Sequence, residues 1–186
     1  LMAASRLVSI VGAGGIGKTT LALAWAQAQR DAQAGSVWWI ELAALTEPER
    51  IAPTVAAAMR LGLGEAYDEA DSVQSVVRAL ASRDGLLVLD NCAHLVQGAA
   101  RLVHAVLATA AGIRVLATSR EPLELAGEQV LRLGPLSVPE PGTSLHEARG
   151  CGAMQLLERR ARAIDRRFEF AADNLEAVVA LCRRLD

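Results

Sequence analysis

The fold of this 186-residue chain is decided by Gly12-Ala13-Gly14-Gly15-Ile16-Gly17-Lys18-Thr19. This stretch fits the pattern G-x-x-x-x-G-K-[ST], a phosphate-binding loop whose glycines let backbone N–H groups turn toward phosphate oxygens. The apolar run at residues 7–11 predicts a strand before the loop, and the alanine-rich segment 19–33 predicts a helix after it. Because the motif works between a strand and a helix, this context favours a nucleotide site over an incidental glycine-rich turn.

Lys18 is the only lysine in the chain, and all the other basic residues among the 19 Lys+Arg are arginines. Such a bias indicates that arginine replaces lysine wherever it can serve. A lysine ammonium is compact, whereas a guanidinium is planar and presents its donors in a rigid fork. The retained lysine therefore supports a contact between Lys18 and the β- and γ-phosphates of a nucleotide.

Composition excludes several classes of protein. No run approaches the ~18 apolar residues that a membrane span requires, and no signal peptide is visible. The net charge of −2 gives the chain no general attraction for nucleic acid. The cysteines, Cys92, Cys151 and Cys182, lack the spacing of metal ligands. We expect reduced thiols in a cytoplasmic protein without a membrane partner.

Strand-like and helix-like segments alternate along the chain. The predicted strands are 7–11, 37–42, 85–90, 113–118 and 130–133, and the run at 85–89 is apolar enough to be buried on both faces of a parallel sheet. The predicted helices are 19–33, 95–111, 154–164 and 175–185. A further helix is expected to begin near Thr46, and another, capped by Asp71 or Ser72, is expected after a loop at 62–70.

This alternation predicts an α/β fold, a three-layer P-loop NTPase with a parallel sheet flanked by helices. Residues 137–143 are rich in proline and glycine and mark a boundary. We therefore expect a P-loop nucleotide-binding core at residues 1–136 and the beginning of a C-terminal helical subdomain at residues 137–186.

The predicted site residues cluster at the carboxyl edge of the sheet, where open α/β folds bind ligands. Asp90 ends a buried strand and is expected to hold Mg²⁺ together with the Thr19 hydroxyl, although it could instead cap the following helix. The residues expected to bind the nucleotide are Gly12, Gly14, Gly15, Ile16, Gly17, Lys18, Thr19 and Thr20.

Arg120 follows the strand at 113–118 and so emerges at the same edge, where it could stabilise charge on a γ-phosphate. A solvated arginine at a strand end is the alternative. His94 fits a nucleotide contact and a hydrogen-bonded helix start about equally. Trp38 and Trp39 fit core and sheet-edge positions better than base stacking. The arginines at 159, 160, 162, 166 and 167 fit a solvated helix face better than a binding patch.

Three motifs occur in a familiar order: the loop at 12–19, Leu-Leu-Val-Leu-Asp-Asn-Cys-Ala-His at 86–94, and Val-Leu-Ala-Thr-Ser-Arg-Glu-Pro-Leu at 115–123. Together they resemble the STAND class of P-loop ATPases, which includes NB-ARC domains, and in particular those of bacterial LuxR- and SARP-type transcriptional regulators. The resemblance implies catalytic roles for Lys18, for Asp90 as the Walker B acid and for Arg120 as a sensor arginine, with ATP or ADP and Mg²⁺ as cofactors.

The chain departs from that family in two ways. Ala93 stands where the family usually carries a glutamate, and Asn91 beside the Walker B aspartate is not an acid. With no obvious carboxylate beside Asp90 to activate water, we expect slow hydrolysis. The family's glycine-arginine motif, its Gly-Leu-Pro-Leu segment and its winged-helix domain are also absent from this sequence, which predicts an incomplete adenine site and weak nucleotide affinity.

The sequence therefore predicts an ATP/ADP-operated switch, a slow Mg²⁺-dependent ATPase within a bacterial signalling or transcription regulator. The resemblance implies a closed ADP form and an open ATP form that forms homo-oligomers, contacts with other domains of the regulator, and DNA binding only through another domain. A nucleotide-binding scaffold that never turns over remains an alternative, and a P-loop kinase of small molecules is a weaker one.

Overall fold

The computed structural model describes residues 5–32, 35–61, 69–171 and 173–185. The chain forms two compact units, Leu1–Leu133 and Gly134–Asp186. The first contains five strands, β1 (Leu7–Val11), β2 (Ser36–Glu41), β3 (Gly85–Asp90), β4 (Ile113–Ser119) and β5 (Glu128–Arg132). Its helices are α1 (Lys18–Asp31), α2 (Ile51–Ala58), α3 (Glu69–Leu80) and α4 (Val96–Thr109), and the second unit contains α5 (Leu145–Arg149), α6 (Gly152–Ile164) and α7 (Leu175–Leu185).

The five strands form one parallel sheet in the order β2-β3-β4-β1-β5. Parallel strands need crossover connections, and α1 supplies the first of them after the glycine loop. Strand β4 lies between β1, which leads into the loop, and β3, which ends at Asp90. The predicted three-layer α/β fold is confirmed.

Helices cover the two faces of the sheet around separate hydrophobic cores. The larger core joins side chains of α2, α3 and α4 to one face, and it includes Leu87 and Leu89 of β3. The smaller core joins Ala22 and Ala26 of α1 to the other face, and it includes Val88. Every residue of β3 is buried, as its apolar run predicts for a strand covered on both sides.

Two predicted helix starts were wrong in detail. No side-chain cap forms near Thr46; a 3-10 turn at Pro48–Arg50 leads into α2 instead. Helix α3 begins at Glu69, so Asp71 and Ser72 lie inside it and not at its N-cap position. Of the loop predicted at 62–70, residues 62–68 lie outside the described part of the chain.

Helix α5 is absent from the sequence-based prediction. It begins with a capping box in which the Glu147 backbone N–H donates to Ser144 Oγ, and the Ser144 backbone N–H donates to the Glu147 carboxylate. The hydrogen bond from the Ser144 side chain is the main reason that the pKa of Glu147 is lowered. With only five helical residues, α5 is too short for hydrophobic periodicity to reveal.

The second unit has its own small core, formed by Ala148, Met154, Phe170, Val178 and Cys182. Burial raises the pKa of the Cys182 thiol. The five arginines at 159–167 are all exposed, and two of them pair with neighbouring acids, Arg162 with Glu158 and Arg167 with Asp165. In the described ranges no helix is long and apolar enough to cross a membrane.

Candidate nucleotide-binding site

The glycine loop joins the end of β1 to the start of α1. Gly15 and Gly17 have φ values of 76° and 102°, in the left-handed region that favours glycine. Gly12 is required for a different reason: a Cβ there would lie 2.6 Å from the carbonyl oxygen of Leu133, which follows β5. These glycines therefore set the curvature of the loop and allow its close approach to the backbone that follows β5.

Lys18 is the first residue of α1 and is half-buried. Its Nζ donates hydrogen bonds to the carbonyl oxygens of Gly12 at 2.9 Å and Ala13 at 2.7 Å. These two contacts hold the ammonium against the loop that its own helix follows. The positive end of the α1 dipole lies at the same place, so two sources of positive potential coincide there.

Asp90 is the last residue of β3 and is only 5% exposed. The Thr19 hydroxyl donates to its carboxylate, with Oγ1 at 2.9 and 3.1 Å from the two oxygens. The Thr118 hydroxyl, at the end of β4, donates to it at 2.5 Å. A cap of the following helix was the alternative role for Asp90, but its carboxylate is bonded to these hydroxyls from two other elements.

Thr118 was not singled out from the sequence, although it organises this edge of the sheet. Its oxygen also accepts the backbone N–H of Asn91 at 2.9 Å, and Asn91 has a left-handed φ of 64°. The side chain therefore fixes both the Asp90 carboxylate and the turn that follows it. The available signal was a polar residue directly after the apolar run 115–117, near the carboxyl end of a strand, where parallel sheets present ligand groups.

Removing the Thr118 hydroxyl should destabilise the first unit. In Thr118→Val the buried Asp90 carboxylate loses a charge-assisted hydrogen bond, and we expect the free energy of unfolding to fall by about 1–3 kcal/mol. Denaturant unfolding followed by circular dichroism measures this. Thr109→Val, an exposed substitution at the end of α4, is the matched control. Equal stabilities for the two variants would contradict a structural role for this bond.

Arg120 directly follows β4 and is exposed. A Cβ placed on Gly14 would lie 3.9 Å from one of its guanidinium nitrogens, so the side chain reaches the glycine loop. The structure therefore brings Lys18, Thr19 and Arg120 to one edge of the sheet. Ile16 is half-buried in the loop, and Thr20 is exposed in the first turn of α1.

The remaining candidates lie away from the loop or inside the fold. His94 Nε2 is 2.7 Å from the Leu45 carbonyl oxygen, which gives this side chain a structural partner. Trp38 and Trp39 are half-buried in β2 and pack against the two hydrophobic cores. Burial and the Asp90 charge raise the pKa of Cys92 to about 12, so its thiol stays protonated. Within the described residues no cluster of three metal-ligating side chains occurs.

Known proteins similar to this chain identify its family. The model of the NB-ARC domain family matches residues 1–130. The chain belongs to the NB-ARC family. It is 36% identical over its whole length to a Mycobacterium tuberculosis protein named "Putative HTH-type transcriptional regulator", and it spans 19% of that relative. A second M. tuberculosis relative, named only as uncharacterized, is 31% identical and 44% covered.

Solved structures show the same fold for this NB-ARC chain. A STAND protein with a tetratricopeptide repeat sensor from Pyrococcus horikoshii superposes with a TM-score of 0.57 and 16% identity, covering 97% of this chain and 26% of that one. Cdc6p from Pyrobaculum aerophilum gives a TM-score of 0.56 and 16% identity over 70% of this chain and 39% of that one. These likenesses show a shared three-layer α/β fold.

Proposed function

We propose that this NB-ARC domain is an ATP/ADP-binding switch module of a bacterial transcription regulator, with slow Mg²⁺-dependent ATPase activity. The observation that carries the proposal is the hydrogen bond between Thr19 and Asp90. It joins the residue after the loop lysine to the acid at the end of β3, and Arg120 reaches the same loop from β4. The residues proposed to contact the phosphates, the metal and the γ-phosphate therefore lie at one location.

The donor groups fit a nucleotide phosphate chain. Gly15 and Gly17 have open space where a Cβ would stand, so loop N–H groups can approach an anion closely. Lys18 supplies a cation that the loop carbonyls already position. The Thr19 hydroxyl and the Asp90 carboxylate offer the hard oxygen ligands that Mg²⁺ prefers, and a bound Mg²⁺ would neutralise phosphate charge there.

The difference between ATP and ADP gives the site its switching capacity. A ligand shifts a conformational equilibrium only through contacts that differ between the two states. Arg120 is exposed and lies beside the loop at Gly14, so its guanidinium is available to a γ-phosphate that only ATP carries. We propose that this contact favours an open, oligomerising form and that its loss in ADP favours a closed one.

The name of one relative supports a proposal about the rest of the regulator. The M. tuberculosis relative is named for a helix-turn-helix, the motif that places a recognition helix in the DNA major groove. We propose that a helix-turn-helix domain elsewhere in the full regulator binds DNA and that the nucleotide state of this domain controls it. Size-exclusion chromatography of the full regulator with ADP and with a non-hydrolysable ATP analogue tests this. Identical elution profiles would contradict nucleotide-driven assembly.

Arg120→Ala should separate ATP from ADP binding. A lost charge-assisted contact of about 1.5–3 kcal/mol weakens affinity roughly 10- to 100-fold. We expect that loss for a non-hydrolysable ATP analogue and an unchanged affinity for ADP, both measured by calorimetry with Mg²⁺. Arg83→Ala is the matched control, since Arg83 is exposed and precedes β3 at the opposite edge of the sheet. Equal losses for the two nucleotides would contradict the sensor role.

A further inference from the structure

A second carboxylate stands beside Asp90 on the neighbouring strand. Strands β2 and β3 are parallel, and their register places Glu41 directly opposite Asp90. Each of the two acids is the last residue of its strand, and the Leu42 backbone N–H donates to the Asp90 carbonyl oxygen at 2.9 Å. The sheet therefore carries two adjacent acids at its carboxyl edge.

Glu41 lies on the face of the sheet that α1 covers. Side chains alternate between faces along a strand. Ile40 and Leu42 pack in the core on the α2–α4 side, whereas Trp39 packs in the core formed with α1. Glu41 follows the same alternation as Trp39, and Asp90 follows that of Val88, which also packs toward α1. Both carboxylates are therefore on the side where α1 begins with Lys18.

The Glu41 side chain is free to bind a ligand. It is exposed, and no hydrogen bond or ion pair joins it to another residue in the described part of the chain. Asp90, in contrast, is buried and bonded to two hydroxyls. The residues that follow Asp90 provide no acid, because they are Asn91, Cys92 and Ala93. Of the two acids Asp90 and Glu41, Glu41 is therefore the one whose carboxylate oxygens remain available to accept hydrogen bonds from a ligand.

The spacing suits a contact through one water molecule. Neighbouring strands lie about 4.8 Å apart, so Glu41 starts one strand farther from the loop than Asp90 does. Asp90 already reaches Thr19 at 2.9 Å. The longer glutamate side chain recovers part of that extra distance, and a water molecule bridging two hydrogen-bonding groups would join Glu41 to the phosphate site.

We propose that Glu41 orients and deprotonates the water that attacks the γ-phosphate of ATP; this assignment rests on the proposed ATPase function. The water oxygen forms a bond to the γ-phosphorus, the bond from that phosphorus to the β–γ bridging oxygen breaks, and the Glu41 carboxylate accepts the water proton. The products are ADP and inorganic phosphate, and the proton passes from Glu41 to solvent. Glu41 thereby performs the task for which Ala93 lacks a carboxylate.

A charged residue at the end of an edge strand also discourages edge-to-edge pairing of sheets. Strand β2 is at the edge of this sheet, so Glu41 could serve that purpose alone. A purely protective role predicts that neutral substitution changes self-association and leaves turnover per bound nucleotide unchanged. The two roles therefore differ in a measurable quantity.

The test is Glu41→Gln, which preserves size and removes the charge. We expect turnover at saturating ATP to fall about 100- to 10,000-fold, the usual contribution of general acid–base catalysis. The dissociation constants for ATP and ADP should stay within about twofold, because a group acting through water in the reaction step adds little to ground-state binding. Nucleotide extracted from the variant should remain ATP over times that convert it to ADP in the unsubstituted chain.

Two further variants sharpen the result. Glu49→Gln changes an exposed glutamate in the 3-10 turn before α2 and should leave turnover unchanged. Glu41→Asp keeps the carboxylate but shortens its reach, and we expect turnover between those of the unsubstituted chain and Glu41→Gln. Circular dichroism and light scattering exclude unfolding and aggregation as causes.

The outcomes separate this proposal from the proposed function. Failure of the unsubstituted chain to bind ATP would overturn the proposed function itself. Binding without any single-turnover conversion would leave an ATP-binding switch and overturn the role of Glu41. Unchanged turnover in Glu41→Gln would also overturn that role while leaving the ATPase in place.

Discussion

Lys18→Ala should show no measurable binding of ATP or ADP at concentrations that saturate the unsubstituted chain. The Lys18 ammonium is the only lysine charge in the protein, and the Gly12 and Ala13 carbonyls hold it against the phosphate loop. Charge-assisted contacts to two phosphate groups contribute about 3 kcal/mol or more, so their removal weakens binding at least ~100-fold. Calorimetry with each nucleotide measures the loss.

The fold should survive this substitution. The hydrogen bonds of the Lys18 side chain stay within the loop, and neither hydrophobic core of the sheet includes it. Unchanged far-ultraviolet circular dichroism and a melting temperature within a few degrees are the expected control results. Arg30→Ala, at the other end of α1, is the matched charge deletion and should bind nucleotide normally.

Lys18→Arg adds a test of the composition argument. Arginine replaces lysine everywhere else in this chain. If a guanidinium could serve in the loop, this variant would bind nucleotide as well as the unsubstituted chain. We expect it to bind poorly, because the planar fork is bulkier than an ammonium at a site already lined by loop carbonyls. Full affinity in Lys18→Arg would remove the physical reason for the single lysine.

Local sequence patterns predicted the parts of the fold that depend on short-range physics. The apolar run of β3 indicated a strand buried on both faces, and the glycine loop fixed the order of strand, turn and helix around it. The starts of α2 and α3 were misplaced, since a 3-10 turn and an earlier helix start replaced the expected side-chain caps. Capping residues compete with tertiary packing, which decides such boundaries.

The candidate site shows more clearly that local sequence patterns do not predict contacts between distant segments. The motif indicated Lys18 and Thr19, and the end of a buried strand indicated Asp90. The positions of Thr118 and Glu41 relative to Asp90 depend instead on which strands are neighbours and in what register. That information is spread over distant segments, so neither contact is visible from local spacing. The absence of an acid directly after Asp90 therefore describes only the adjacent sequence, whereas the role proposed for Glu41 depends on the strand register.

Asp90→Asn should remove the dependence of ATP binding on Mg²⁺. The asparagine amide keeps an oxygen that can accept the Thr118 hydroxyl, so the fold is expected to persist. The lost negative charge weakens metal binding, for which loss of even an outer partner costs about 10- to 100-fold in affinity. We expect Mg²⁺ to strengthen ATP binding in the unsubstituted chain and to have little effect in the variant.

Calorimetry with Mg²⁺ and with a chelator measures this difference directly. In the chelator the two proteins should bind ATP equally, because Lys18 and the loop N–H groups remain. Asp31→Asn is the matched control at the far end of α1, and it should keep the full response to Mg²⁺. An equal response to Mg²⁺ in Asp90→Asn would assign the metal to other ligands.

Substitutions of the two acids at the sheet edge, Asp90 and Glu41, should have different effects on binding and turnover. Asp90 is buried, bonded to Thr19 and close to the loop, so its loss should reduce both Mg²⁺-linked affinity and turnover. Glu41 is exposed and one strand farther away, so its loss should reduce turnover alone. If Asp90→Asn and Glu41→Gln instead lost affinity together, the two carboxylates would act as one metal-binding pair, and the water that attacks ATP would need another base.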